Sequence, residues 1–351
     1  MKGTEADALG TYSAWILSRR RTLSKESAIL KVPVEEVYAA TNNLHESNFI
    51  GQGTAGVFSG NQQVAIKHNT NEGCAETFVR EVGSLAHIRH PNLVALLGYC
   101  ESEGECFLIY ELCPNGNLSE WLYGKDNVLS WIQRLQIAIG SARGLWVVHA
   151  YPGGCIVHRD VKTSNILLGA NFEAKLSEFG LSKVMNSDGS YASSEARGTF
   201  GYVDPEYQSN RLVSAAGDIY RFGVVLLQIL SGRRVINMNM KKPMSLDKIV
   251  ITIPCVFSFF LVWNNNSNNS SFIVEQAKSL TKYGSTAEFA DPKLHGEYSV
   301  EALKLKFELA LSRMALKQKR PSIGQIIVKL EEALDISTRT KASSPDWSLV
   351  P

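Results

Sequence analysis

Apolar and polar positions change their rhythm along this chain. Over residues 48–89, short β-type runs surround a glycine-rich turn and one helical stretch, whereas helical spacing dominates beyond them. The pattern predicts a small β-rich lobe followed by a larger helical one. In the small lobe, residues 57–59 and 62–67 flank Gly60-Asn61, turn chemistry suited to a hairpin. Val64-Ala65-Ile66-Lys67 alternates so that Ala65 and Lys67 fall on one strand face. Phe78, Glu81 and Leu85 share one helix face, which turns Glu81 inward. An inward carboxylate needs a cation, and Lys67 is the candidate.

In the helical half, Ser130-Trp131-Ile132-Gln133 has the form of a capping box. Trp131, Leu135, Ala138, Ala142, Leu145 and Trp146 follow it at helical spacing. Ser322 and Gln325 repeat that signature before Ile326, Ile327, Leu330 and Leu334. Residues 214–230 form an apolar stretch that Gly232 stops. Trp121, Trp131 and Trp146 are expected to pack in the core or between elements. Residues 1–47 show weak periodicity and are taken as an extension, with 337–351 as a tail. Residues 251–274 break the pattern with a Phe- and Ile-rich run and an Asn cluster. Without them, Leu246, Ile249, Val250, Ala277 and Leu280 fall on one helix face. The segment is therefore taken as an insertion within a helix, either a surface loop or retained intron sequence.

Composition narrows the function class. Of 351 residues, 44% are hydrophobic and 20% charged, as in an ordinary globular protein. Thirty-six Lys and Arg against 34 Asp and Glu leave +2, too little to point to nucleic acid. The six cysteines (Cys74, Cys100, Cys106, Cys113, Cys155, Cys255) show no paired spacing and suit buried thiols in a reducing compartment. The longest uncharged apolar run, residues 249–263, is 15 residues long, short of the ~18 to 20 that a membrane-spanning helix needs. A cytoplasmic chain is expected, with peripheral contact at the inner face of the plasma membrane through Arg19, Arg20 and Arg21 as the most that its basic cluster allows.

Three patterns carry chemistry. In Gly51-Gln52-Gly53-Thr54-Ala55-Gly56 the glycines let backbone amides approach phosphate oxygens, and the hairpin context makes a lid over phosphates. A dinucleotide fold would need a βαβ setting, which is missing. Lys67 with Glu81 forms the second. The third is His158-Arg159-Asp160-Val161-Lys162-Thr163-Ser164-Asn165, whose spacing gathers a base, a phosphate-neutralising cation and a metal-binding amide around one point. His158 is expected to brace that loop from a buried position. His87 and His90 have no further ligands near them in sequence and are not taken as a metal site.

With these motifs the chain resembles eukaryotic protein kinases of the plant receptor-like (cytoplasmic) Ser/Thr type, over roughly residues 48–336. Further matches are the segment His87 to Tyr99, Tyr110-Glu111-Leu112 as hinge, Phe179-Gly180, the run from Gly198 to Glu206, Asp218 with Gly223, and Arg320-Pro321-Ser322. The resemblance implies an α+β, bilobal kinase fold, with a β-rich N-lobe of about 48–112 holding one helix and a mainly helical C-lobe of about 113–336. It implies ATP as cosubstrate with Mg²⁺, Mn²⁺ being the other candidate ion, and a protein substrate or receptor-kinase partner. Asp160 would take the hydroxyl proton, Lys162 would neutralise the γ-phosphate, and Lys67 held by Glu81 would grip the other phosphates. Asn165 and Glu178 would hold the metal. Gly51, Gln52, Gly53, Gly56, Val57, Ala65, Lys67, Glu111 and Leu112 would line the nucleotide. Glu206 would pair with Arg320, and Lys162 with Thr199 matches the Ser/Thr-specific pattern. Ser187, Ser190, Tyr191, Ser193 and Ser194 would be candidate phosphorylation sites in the activation segment.

The chain departs from that family in several places. Ser177-Glu178-Phe179-Gly180 stands where the family has Asp-Phe-Gly, and the extra methylene shifts a carboxylate that Mg²⁺ holds at ~2.0 to 2.1 Å. Gly56 runs directly into Val57, one residue short, which leaves open whether Val57 or Phe58 covers the adenine. Arg221 stands where a Ser is common, and Arg313 where a small apolar residue is usual. Reduced turnover with nucleotide binding kept is expected, and a pseudokinase binding module is the alternative function.

Overall fold

The computed structural model describes residues 29–51, 53–58, 60–69, 74–102, 104–185, 197–235, 273–274, 276–278, 286–312 and 320–343. Five of the small lobe's strands are antiparallel neighbours: β2 (Phe49–Ile50), β3 (Gly53–Phe58), β4 (Gln62–Asn69), β5 (Leu96–Ser102) and β6 (Glu105–Glu111). The sixth, β1 (Leu30–Lys31), pairs in parallel with β5, which gives the order β1-β5-β6-β4-β3-β2. Gly60 and Asn61 both take positive φ, 82° and 63°, which reverses the chain between β3 and β4. The helix Cys74–Leu85 packs on the sheet through Phe78, Val79, Val82 and Leu85.

Residues 29–47 correct one expectation. Part of the supposed extension belongs to the small lobe: besides β1, the helix Val34–Ala40 buries Val37 completely against Val64, Ile66, Cys100, Phe107 and Ile109. Tyr38 donates to Glu105 at 2.8 Å and fixes its position. Seven helical residues and a two-residue strand are too short for a periodic signal, and tertiary packing forms them.

The large lobe is built around the helix Trp131–His149, whose capping box at Ser130 and Gln133 is present. Its core face packs against the helices Ala215–Ser231, ended by Gly232 at φ 61°, and Ile323–Ser343. Ser322 and Gln325 form the second reciprocal cap. Arg134 is fully buried yet satisfied, donating to the Leu129 and Ile229 carbonyls and to Asp291 at 2.6 Å. Trp131 is buried and donates to Ser337, and Trp121 packs on Phe172. Trp146 is 50% exposed, contrary to expectation, because Leu145 and Val148 take the inward positions on that turn.

Of the helix face expected around the insertion, Ala277 is buried, while Leu246, Ile249, Val250 and Leu280 lie outside the described residues, as do Arg19 to Arg21 and Arg313. Ile273 and Val274, assigned by sequence to the segment that does not pack, are buried in the large-lobe core. Cys100, Cys106 and Cys113 are buried free thiols, and Cys155 is half-buried.

Candidate functional site

Between the lobes lies a cleft of ≈ 900 Å³. Its roof comes from β2 to β4 through Ile50, Gly51, Gly53, Ala55, Ala65 and Lys67, and its floor from Asp160, Lys162, Asn165, Leu167 and Glu178. Gly51 takes φ 57°, which a glycine adopts without strain. A Cβ on Gly53 would lie 2.9 Å from the Ile66 carbonyl oxygen, so only glycine lets these two strands approach here.

The floor is organised by one buried carboxylate. After β7 (Cys155–Val157) the chain enters the loop with Arg159 at φ 71°. Asp218, from the first turn of Ala215–Ser231, accepts the His158 and Arg159 N–H groups at 2.7 and 2.8 Å and lies 3.0 Å from His149 Nε2. Burial pushes the Asp218 carboxyl up, but the His149 ring and the Arg221 guanidinium hold it below the usual range. His158 is buried, donates through Nε2 to the Ser177 carbonyl at 2.8 Å and accepts the Asp160 N–H at Nδ1. Burial lowers its pKa, consistent with this neutral tautomer. The expected bracing role is what the geometry shows.

Asp160 is surrounded by donors. Oδ1 accepts the Thr199 N–H at 3.0 Å and its hydroxyl at 2.7 Å, and Oδ2 accepts from Asn165 Nδ2 at 3.0 Å and from Lys162 at 2.8 Å. Burial alone would raise this carboxyl; the Lys162 ammonium and the Thr199 hydroxyl outweigh it and hold it below its ordinary value. Lys162 also donates to the Thr199 hydroxyl at 2.8 Å. Asn165 leads into β8 (Ile166–Leu168), paired with β9 (Ala174–Leu176), and its carbonyl accepts both the Ser177 N–H and hydroxyl. The segment bearing Glu178 is thereby tied to the loop bearing Asp160.

Lys67 reaches down from β4 to two carboxylates, Glu81 at 3.2 Å and Glu178 at 2.7 Å. Burial opposes its charge, but the two acids hold its pKa above that of an ordinary lysine. Burial lifts the Glu81 carboxyl above its usual value even with Lys67 beside it. Glu178 adopts the left-handed conformation at φ 65°, and Phe179 packs edge-on against His158. A Cβ on Gly180 would come within 2.3 Å of Thr77, so the helix carrying Glu81 rests on this glycine.

A family model for protein tyrosine and serine/threonine kinases matches residues 44–250. The chain belongs to that kinase family. It is 38% identical over 329 residues to a probable receptor-like protein kinase of Arabidopsis thaliana, covering 91% of this chain and 36% of the relative. A proline-rich receptor-like protein kinase of the same plant is 34% identical, covering 90% and 42%. The nodulation receptor kinase of Pisum sativum is 37% identical, covering 89% and 32%. The chain thus spans about a third to two fifths of the length of these relatives.

Against this kinase frame, some expected nucleotide-lining residues fall elsewhere. Gly56 and Val57 do not line the cleft. Strand alternation turns Gly56 to the opposite face, where its added Cβ would meet the Ala40 carbonyl at 3.3 Å, and Val57 is an exposed residue beyond the cleft, paired with Gln63. Neither Val57 nor Phe58 lines the cleft; Ile50 and Ala55 line its roof. Ala55 was within reach of the alternation that starts at Gly53, whereas Ile50 gave no signal. Gln52 and the five candidate phosphorylation sites lie outside the described residues. Glu111 borders the cleft, but its carboxylate accepts the Ala95 N–H and pairs with Lys175, so its side chain is turned to structural partners. Arg320 pairs with Glu206 at 3.7 Å, as expected, and also binds Asp204, the N-cap of Pro205–Asn210, through both ends of its fork at 2.5 and 3.0 Å. Among the described residues no helix is long and apolar enough to cross a membrane.

Proposed function

We propose that this chain transfers the γ-phosphoryl group of ATP to Ser or Thr hydroxyls of a protein substrate. The observation that carries the reading is the Asp160 carboxylate held ionised by Lys162, Asn165 and Thr199. A substrate hydroxyl would replace the Thr199 hydroxyl on Oδ1, donate there, and pass its proton to Asp160 as it attacks phosphorus. Lys162 would lie beside the transferred group and offset its charge, while Lys67, fixed by Glu81, would bind the remaining phosphates. These roles consist of positioning and charge, and the Asp218 anchor supplies the rigidity they need.

The cleft suits a divalent cation. Asn165 commits its amide nitrogen to Asp160, which leaves Oδ1 as acceptor, and Glu178 keeps one carboxylate oxygen beyond Lys67. Among the described residues no group of three or more His, Cys, Asp or Glu side chains forms a cage, the usual situation where a hard cation is shared with substrate phosphates. Asn165 and Glu178 would hold Mg²⁺ or Mn²⁺, and the bound ion supplies charge neutralisation and orientation of the phosphates.

The ring of donors assembled around Asp160 favours transfer over a binding-only module. A receptor-kinase partner belongs to the same reading, by likeness to receptor-like relatives, and an intracellular site of action with membrane contact through Arg19 to Arg21 belongs to it from the sequence. The test is incubation with Mg²⁺ and γ-labelled ATP, counting label on the chain and on a generic Ser/Thr substrate. Transfer should fall by ~10²-fold or more in Asp160→Asn, since general-base catalysis contributes at least that much. Equal labelling by both proteins would refute the assignment.

A further inference from the structure

Arg221 is a charged side chain, 2% exposed, in the most apolar helix of the large lobe. Its guanidinium lies among two glycines and a ring. A Cβ on Gly198 would sit 2.9 Å from Nη2, a Cβ on Gly217 would sit 3.3 Å from Nη1, and the Tyr207 ring centroid is 5.7 Å away. Nη2 donates to the Arg197 carbonyl at 3.3 Å, and Nε has no hydrogen-bond partner among the described residues. Burying a guanidinium on such terms costs stability that a hydroxyl or apolar side chain here would not cost.

Its surroundings show what the residue does. Gly198 has φ 131°, a conformation that glycine tolerates, and its other flank is 3.0 Å from the Arg159 carbonyl oxygen by the same Cβ measure. The backbone at 198 is therefore held between the guanidinium of Arg221 and the loop that carries Asp160. The next residue, Thr199, makes the two donations to Asp160 Oδ1. We propose that Arg221 is a positioning residue, whose guanidinium fixes the Arg197 and Gly198 backbone at the height where Thr199 reaches Asp160. Asp218 on the same helix, Asp160 on the loop, and Tyr207 and Asp204 on the neighbouring segment face it and favour its charged form against burial.

The consequence for rate rests on the phosphoryl-transfer reading, but the contact itself is measurable without turnover. Amide hydrogen exchange by NMR on the full chain would compare the native protein with Arg221→Met and Arg221→Lys, the latter keeping charge on a side chain without the guanidinium fork. Exchange at Thr199 should be about tenfold faster in both variants, the loss expected for one hydrogen bond, with core amides such as those of Leu145 and Leu226 unchanged. If the native chain transfers phosphate, kcat should also fall in both variants while the KM for ATP stays unchanged, because Thr199 and Asp160 lie at the transfer end of the site. Unchanged exchange at Thr199, a uniform rise across the core, or full protection in Arg221→Lys would overturn the proposal. If Arg221→Met does not fold, Arg221→Ser replaces it; failure of all three to fold would mark Arg221 as structural only and equally overturn it.

Discussion

Replacing Lys306 by methionine should stabilise this protein. The side chain lies on the helix Val300–Ser312, fully buried, 5.4 Å from the centroid of the Trp131 ring. Its Nζ has no hydrogen-bond partner among the described residues. The neighbouring charges offer nothing: Asp291 is taken up by Arg134, whose own positive charge adds to the burial that drives the Lys306 ammonium well below its ordinary pKa. An unsatisfied buried donor costs roughly 1–3 kcal/mol, and the ring face returns only part of that. Methionine has similar length and repacks for less than about 1.5 kcal/mol. The net gain should be on the order of 1 kcal/mol at pH 7, or roughly 2–4 °C in Tm. The pH dependence has a definite sign. Unfolded lysine titrates near ~10.4, so between the lowered native value and that point the unfolded chain binds more protons. Stability of the native protein therefore rises with pH through this window, and the advantage of Lys306→Met should shrink as pH goes from 7 to 10. Thermal melts of both proteins across that range are the assay. A variant no more stable at pH 7, or a difference independent of pH, would show that the ammonium has a partner and that the reasoning is wrong.

Other predictions follow from the same geometry. Glu178→Asp should raise the transfer rate by up to ~10²-fold, since a carboxylate displaced by one methylene misplaces what it holds by about 1 Å; steady-state kinetics with Mg²⁺ would show it, and an unchanged rate would mean that Glu178 is tolerated. Asp291→Ala leaves the buried Arg134 guanidinium unpaired and should cost about 3–5 kcal/mol, read from denaturant unfolding. Gly198→Ala places a methyl against Arg159 and Arg221 at positive φ and should cost about 1–3 kcal/mol, with weaker transfer, both measurable on the purified variant. Asp160 and Asp218, held below the usual carboxylate range, contribute stability that is present above their unfolded pKa of ~3.9 and lost as pH falls through their native values; acid unfolding should begin below that point, and Asp218→Asn should weaken the dependence.

Much of the chemistry was legible because it is encoded in short spacings. The run from His158 to Asn165 announces a geometry within eight residues, Lys67 and Glu81 are each placed by the face of their own strand or helix, and the structure brings them to one cleft. Contacts that depend on distant partners were less visible. The Lys67 ion pair with Glu178 joins residues 111 positions apart, and no local pattern places them at 2.7 Å. Arg320 meets Glu206 as expected, but its second and nearer partner, Asp204, gave no signal of its own in the sequence. Gly56 falls outside the cleft because a motif gives the presence of a strand but not which face its residues occupy, and Val57 because the strand has run past the cleft before reaching it. Ile50 and the helix Val34–Ala40 come from elements too short to leave a period.

That short helix has a mechanical consequence. It rests on β3 at Gly56, where the Ala40 carbonyl would almost touch an added Cβ, only three residues along the same strand from Gly53 in the roof of the cleft. Its other end continues into β1, which is sewn to the edge of β5. A tug or twist arriving along the chain ahead of Ile29 would thus be delivered to the small lobe first, at a fulcrum on the back of the strand that roofs the cleft.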